Sequence, residues 1–165
     1  MASNPASALD PENTLYLDLK DGRVVIELYP NKAPNTVARI KELARQKFYD
    51  GIVFHRVIDG VMAQTGDPSG TGMGGSGKNL KAEFNDEKHT RGAVSMARAS
   101  DPDSADSQFF IVLADSRFLD NQYTVFGRVT EGMQYVDKIK KGDGQDGQVT
   151  DPDKIVSLRV AADVK

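Results

Sequence analysis

Cysteine is missing from all 165 residues, which excludes disulfides, thiolate metal sites and a cysteine nucleophile. Histidine is scarce: His55 and His89 are the only two, and they lack the helical or finger spacing of a zinc site. No apolar run approaches the roughly 20 residues a bilayer-spanning helix needs, so no membrane partner is expected. Excess positive charge is missing too. With 21 Lys plus Arg against 24 Asp plus Glu the formal net charge is −3, which removes the bulk electrostatic motive for binding nucleic acid or anionic lipid. The opening residues have neither a basic n-region nor an apolar h-region, so they form no intact secretory signal. Residues 1–13, with two prolines and polar filler, are expected to be a flexible arm, and the chain to be cytoplasmic and monomeric.

What is present is an ordinary globular composition, 39% apolar and 27% charged, long enough for one domain over residues 14–165. Period-2 patterning dominates. Leu15, Leu17 and Leu19 alternate with Tyr16 and Asp18, Asp21-Gly22 turns the chain, and Val24, Ile26 and Leu28 then alternate through Tyr29, predicting a hairpin with one buried face. Pro34 opens a segment with Val37, Ile40, Leu43 and Ala44 at helical spacing, predicting a helix to about Gln46. A second helix is predicted over Met133 to Lys141, ending before Gly142. Further strands are predicted over Val53–Ile58, Val61–Thr65, Ala93–Arg98, Gln108–Leu113, Val125–Val129 and Lys154–Ala161, the last with Val156, Leu158 and Val160 inward. Many short strands with only two helices fit a mainly β, closed or nearly closed antiparallel barrel better than a parallel α/β sheet.

Several patterns compete for the chemistry. Gly72 to Lys78 follows the phosphate-cradling loop pattern, but Asn79 stands where a magnesium-binding hydroxyl belongs, and no strand is predicted just before it. A Gly-rich surface loop that lets backbone approach a ligand is the better reading, with a nucleotide binder as a remote alternative. No nucleophile elbow accompanies His55, which reads as a strand histidine with a structural hydrogen bond. The acidic clusters at 101–106 and 143–146 lack the closing Glu of a calcium loop and read as solvated turns. No metal or other cofactor is expected.

Two stretches remain: Phe54-His55-Arg56-Val57-Ile58 running on through Val61-Met62-Ala63-Gln64, and Ser107-Gln108-Phe109-Phe110-Ile111. Each sets a strong polar group beside large apolar ones, which suits a site binding a mostly apolar, uncharged group through a few hydrogen bonds. Together with Phe48-Tyr49-Asp50-Gly51, Gly92-Ala93-Val94-Ser95-Met96-Ala97, Phe118-Leu119-Asp120 and Val125-Phe126-Gly127-Arg128-Val129, they resemble the cyclophilin family of peptidyl-prolyl cis-trans isomerases from Thr14 to Val164.

The resemblance implies a closed eight-stranded antiparallel barrel capped by two α-helices, acting on X-Pro bonds of proline-containing peptides and protein clients in protein folding. It makes Arg56 the main catalytic group, with Gln64 its polar neighbour and Phe110 in the pocket. Met62, Phe110 and Leu119 would wall the proline pocket, Phe118 and Tyr123 would stand at its rim, backbone at Arg98 and Ala99 would pair with substrate, Gln108 would contact it, and Gly70 would lie beside the groove. Val61 stands where the family usually carries Phe, which implies a smaller pocket wall. Phe118 replaces the Trp of many eukaryotic members, and without its indole N–H the expected cyclosporin binding is weak. A peptide-binding module or chaperone with little turnover would use the same groove.

Overall fold

A computed structural model describes residues 10–164; the predicted arm lies outside these up to residue 9. From Asp10 the chain makes a 3-10 turn, Pro11–Asn13, whose Glu12 pairs with Lys41 and Arg45 of the first helix. Eight strands follow: β1 Thr14–Leu19, β2 Gly22–Leu28, β3 Arg56–Ile58, β4 Met62–Thr65, β5 Ala93–Met96, β6 Phe109–Val112, β7 Val125–Glu131 and β8 Ser157–Val160. Helix α1 spans Pro34–Arg45 and α2 Met133–Asp137. All strands join one antiparallel sheet in the order β3-β4-β6-β5-β7-β2-β1-β8.

The sheet curls so that its inner face encloses a core including Leu15, Leu17, Val24, Ile26, Phe54, Phe109, Ile111 and Leu158. Full closure, however, is an overstatement. The two end strands, β3 and β8, share no ladder; the seam is spanned by a single bridge between Val53 and Lys154, made by Phe54 N–H to Asp153 O and Ile155 N–H to Ile52 O, and by Gly51 N–H to Ile155 O, all 2.8 Å. Ahead of β3 the polar groups bond outside the ladder: Val53 O accepts from the Thr65 hydroxyl, Phe54 N–H donates to Asp153 O, and His55 O accepts from Val149 N–H. The predicted strand from Val53 therefore becomes regular only at Arg56.

Helix α1 buries Val37, Ile40, Leu43 and Ala44 as its spacing predicts. Its N-cap, Ala33, supplies no side-chain bond; the Glu83 carboxylate accepts from Asn35 N–H and Thr36 N–H instead, satisfying donors left free by the first turn. Helix α2 stops earlier than the predicted Lys141. Lys138 and Ile139 tighten to i→i−3 bonds, and then Lys140 N–H goes to Asp153 and Gly142 N–H to Val57 O, so tertiary acceptors win over continuation. The first hairpin turns at Lys20-Asp21, with Gly22 already paired to Leu19; a Cβ on Gly22 would stand 2.5 Å from the Tyr135 ring, so this glycine serves close packing of α2. In β8 the predicted inward face is wrong at Val156, which is 59% exposed, while Ile155 is fully buried. The chain bends there, since Val156 N–H is drawn to Asp18 O before the ladder begins at Ser157.

Candidate functional site on the outer face of the sheet

Register builds the site. Arg56 of β3 lies opposite Gln64 of β4, Gln64 opposite Phe110 of β6, and Phe110 opposite Ser95 of β5. Directly opposed residues project to the same face, so these four form one transverse row on the outside of the curled sheet. A second row, Ile58, Met62 and Val112, runs beside it. Phe109 and Ile111 alternate inward to the core while Phe110 and Val112 belong to the outer apolar cluster with Met62, Ala97, Val61, Leu119 and Tyr123. Both faces of β6 are covered, which is why its sequence is apolar without alternation.

A cavity of about 380 Å³ opens over these rows, lined by Arg56, Val61, Met62, Phe110, Leu119 and Tyr123 among others, with Phe118 75% exposed at its rim. Arg56 is held by Nε donating to the Asp146 carbonyl at 2.7 Å and by a long 3.4 Å bond from Nη1 to Gln64 Oε1. Among the described residues no carboxylate lies within 4.0 Å of it. Gln64 Nε2 donates to Gln108 Oε1 at 2.9 Å, and Gln108 Nε2 donates to the carbonyls of Gly72 and Gly74 at 3.0 and 2.9 Å. Two carbonyls can only accept, so the orientation of both glutamine amides is set and Gln64 presents its oxygen to Arg56.

Behind the cavity lies a part the sequence did not reveal. His89 is fully buried, its ring stacked on Phe110 at 6.0 Å and edge-on to Tyr123 at 6.3 Å. Its Nδ1 lies 3.0 Å from Asp120 and its Nε2 2.9 Å from the Ser95 hydroxyl. Since the carboxylate only accepts, Nδ1 carries the proton and Ser95 donates to Nε2. Burial opposes ionisation of Asp120, but the His89 N–H, the Arg117 guanidinium and the His89 ring outweigh it and hold its pKa at about 2. Burial lowers the pKa of both histidines. His55 corrects its sequence reading: it precedes β3, and its buried Nδ1 has no partner.

A second cavity of about 350 Å³ adjoins the first across Gln64, Ala97 and Arg98, and is lined by Gly72, Met73, Gly74, Ala99, Asp106 and Gln108 among others. The Gly-rich loop forms its wall, but not as a phosphate cradle: Gly72 N–H goes to Asp67 and Gly77 N–H to Asp106. Asp67 is held far below the usual carboxylate range although burial opposes its ionisation, because Ser69 and the backbone N–H groups of the loop donate to it. Asp106 likewise is no solvated turn, since Ser76, Gly77 and Arg39 all reach it. Asp101, Asp103, Asp143 and Asp146 are exposed, as expected. Gly70 is placed away from the groove, in a separate depression with Phe48 and Val53; Gly72, Gly74, Gly75 and Gly77 are the glycines at the groove. The remaining predicted site residues, Val61, Met62, Arg98, Ala99, Gln108, Phe118, Leu119 and Tyr123, all line one or both cavities.

Comparison with known proteins agrees with this architecture. A family model described as cyclophilin type peptidyl-prolyl cis-trans isomerase/CLD matches residues 14–160. A probable peptidyl-prolyl cis-trans isomerase of Brucella suis is 51% identical, covering 99% of this chain and 90% of its own. Peptidyl-prolyl cis-trans isomerase B of Bacillus subtilis is 47% identical over 79% of this chain and 92% of its own. Among solved structures, a cyclophilin from Hirschia baltica superposes with a TM-score of 0.85 at 30% identity, covering 95% of this chain and 77% of that one. A Cryptosporidium parvum cyclophilin crystallised in the presence of the dipeptide Ala-Pro gives a TM-score of 0.81 at 27% identity, over 89% and 98% of the two chains. With an apolar cavity beside Arg56 on the outer face of an eight-stranded sheet, and with relatives alike over almost its whole length, this chain belongs to the cyclophilin-type peptidyl-prolyl cis-trans isomerases.

Proposed function

We propose that the chain isomerises X-Pro bonds of proline-containing peptides by seating the ring in the 380 Å³ cavity and hydrogen-bonding the twisted imide nitrogen with Arg56. The observation that carries this is Arg56 itself, a guanidinium with no carboxylate partner among the described residues, in the lining of an apolar cavity. Amide resonance sets a rotation barrier of roughly 18–20 kcal/mol. Reducing an isomerisation time of about a hundred seconds to about a millisecond removes about 7 kcal/mol of it. At the midpoint of rotation the nitrogen leaves resonance and exposes a lone pair. A fixed, always charged donor bonds that lone pair far better than it bonds the planar ground state.

A charge-assisted hydrogen bond contributes about 1.5–3 kcal/mol in ordinary settings, so Arg56 alone falls short. The Asp146 carbonyl and the Gln64 amide hold the guanidinium in place before substrate arrives, which avoids reorganisation at the moment of rotation. Met62, Phe110 and Leu119 hold the ring while the preceding carbonyl turns, and backbone at Arg98 and Ala99 lines the way for the substrate chain. No covalent intermediate or proton transfer is required.

The test is exchange spectroscopy on an Ala-Pro peptide with parent protein and with Arg56→Ala. The parent should accelerate cis/trans exchange, and the variant should lose at least about a hundredfold in kcat/KM while still binding the peptide. Equal acceleration by both would remove Arg56 from the mechanism. Binding by the parent without acceleration would leave only a peptide-binding module.

A further inference from the structure

We propose that Arg98 is a specificity-determining residue that makes this isomerase prefer an acidic residue immediately before proline. The inference rests on the proline-pocket reading above. Six of the nine arginines, Arg23, Arg39, Arg45, Arg91, Arg117 and Arg159, pair with a carboxylate among the described residues. Arg98 does not, yet its side chain is fixed. Nε donates to Gln122 O at 2.9 Å, Nη1 to Ala99 O at 3.0 Å and Ser100 O at 3.2 Å, and the guanidinium lies 4.9 Å from the centre of the Tyr123 ring. Backbone carbonyls and an aromatic face orient this cation without neutralising it.

Its place gives the charge a use. Arg98 lines both cavities, and the proline cavity carries Arg56 and Arg98 but no Asp or Glu in its lining. With the ring in that cavity and its nitrogen toward Arg56 and Gln64, the residue bonded to that nitrogen must leave across Gln64, Ala97 and Arg98 toward the second cavity. Its side chain therefore passes Arg98. One residue further back the positive excess is gone, because the second cavity sets Asp106, itself paired with Arg39, in the same lining as Arg98. Nearby Asp103 accepts from Ala82 N–H and Asp101 from Asp103 N–H, and among the described residues neither lies within ion-pair distance of Arg98. The preference is thus positional: acidic directly before proline, with no charge preference at the residue before that.

The experiment measures kcat/KM for Ala-Xaa-Pro-Phe peptides with Xaa as Glu, Gln or Lys, and for Xaa-Ala-Pro-Phe with the same three, by exchange spectroscopy. At low salt, Glu directly before proline should exceed Gln by about fivefold, and the ratio should fall toward one in 0.5 M salt. In Arg98→Met the Glu to Gln ratio should collapse, and in Arg98→Lys part of it should return, because the charge persists without the fork. Each ratio is taken within one variant, so a general loss of activity cancels. A parent ratio of one with all peptides turned over, or a ratio unchanged in Arg98→Met, overturns the proposal. No acceleration of any peptide by the parent would instead strike the proline-pocket reading.

Discussion

The two faces of strands β4 and β6 put the same kinds of side chain to different uses. Inward, Phe109 and Ile111 enter a continuous buried core; outward, Phe110 and Val112 enter a cluster that stays open along one edge. Adjacent residues of one strand therefore divide the work, one stabilising the barrel and the next shaping a cavity. Packing can complete the inner face because nothing must enter it. The outer face has to leave room for a ring, so its wall is held in place from behind, by the Ser95–His89–Asp120 chain and the stacking of His89 on Phe110.

The largest effect should come from truncating the inner phenylalanine. Phe109→Ala is expected to cost about 3–5 kcal/mol, read from denaturant unfolding. Phe110→Ala should cost less, toward about 2 kcal/mol, because its site already opens to water, but it should reduce kcat/KM more than tenfold. Equal losses of stability would break the contrast between the faces.

A smaller effect concerns pH. Burial lowers His55 and His89 below the ordinary 6.5, so below that value the unfolded chain binds protons the folded chain does not. Stability should therefore fall as pH drops from 6.5 toward their folded values. Asp120 adds a separate window: its depressed value contributes stability above 3.8 that is lost as pH falls toward about 2. Urea midpoints measured from pH 7 to 3 should decline, and His89→Gln should flatten the upper part. An unchanged profile in that variant would remove His89 from the account.

Val61→Phe should enlarge the small wall of the cavity and lower KM for an Ala-Pro peptide by a few fold with kcat little changed, as steady-state kinetics would show. The smallest change is at the rim. Phe118→Trp would add an indole N–H at a position 75% exposed, and titration should show cyclosporin binding that is weak in the parent and tighter in the variant. Nanomolar binding by the parent would contradict this.

Much of this was legible in residue order. Leu15, Leu17, Leu19, Val24, Ile26 and Leu28 alternate because one face of their hairpin is buried, and the α1 stripe follows helical spacing for the same reason. The errors fall where polar groups find distant partners. Strand β3 begins late because residues 53–55 bond to Thr65, Asp153 and Val149 outside the ladder, α2 ends early because Asp153 and Val57 compete for its donors, and Val156 faces out because Asp18 bends the chain. Gly70 and Gly72 are indistinguishable by type, and only the path of the loop separates them.

By itself the sequence determined the class of the fold, the apolar faces and the pairing of a strong donor with aromatic residues, since periodicity and side-chain chemistry are local properties. Tertiary structure alone decided that Arg56, Gln64, Phe110 and Ser95 share one row, that Asp146 and Gln64 hold the arginine, that His89 braces the pocket, and that Arg98 stands uncompensated between two cavities. Those relations depend on strand register and long-range hydrogen bonds, which join residues far apart along the chain.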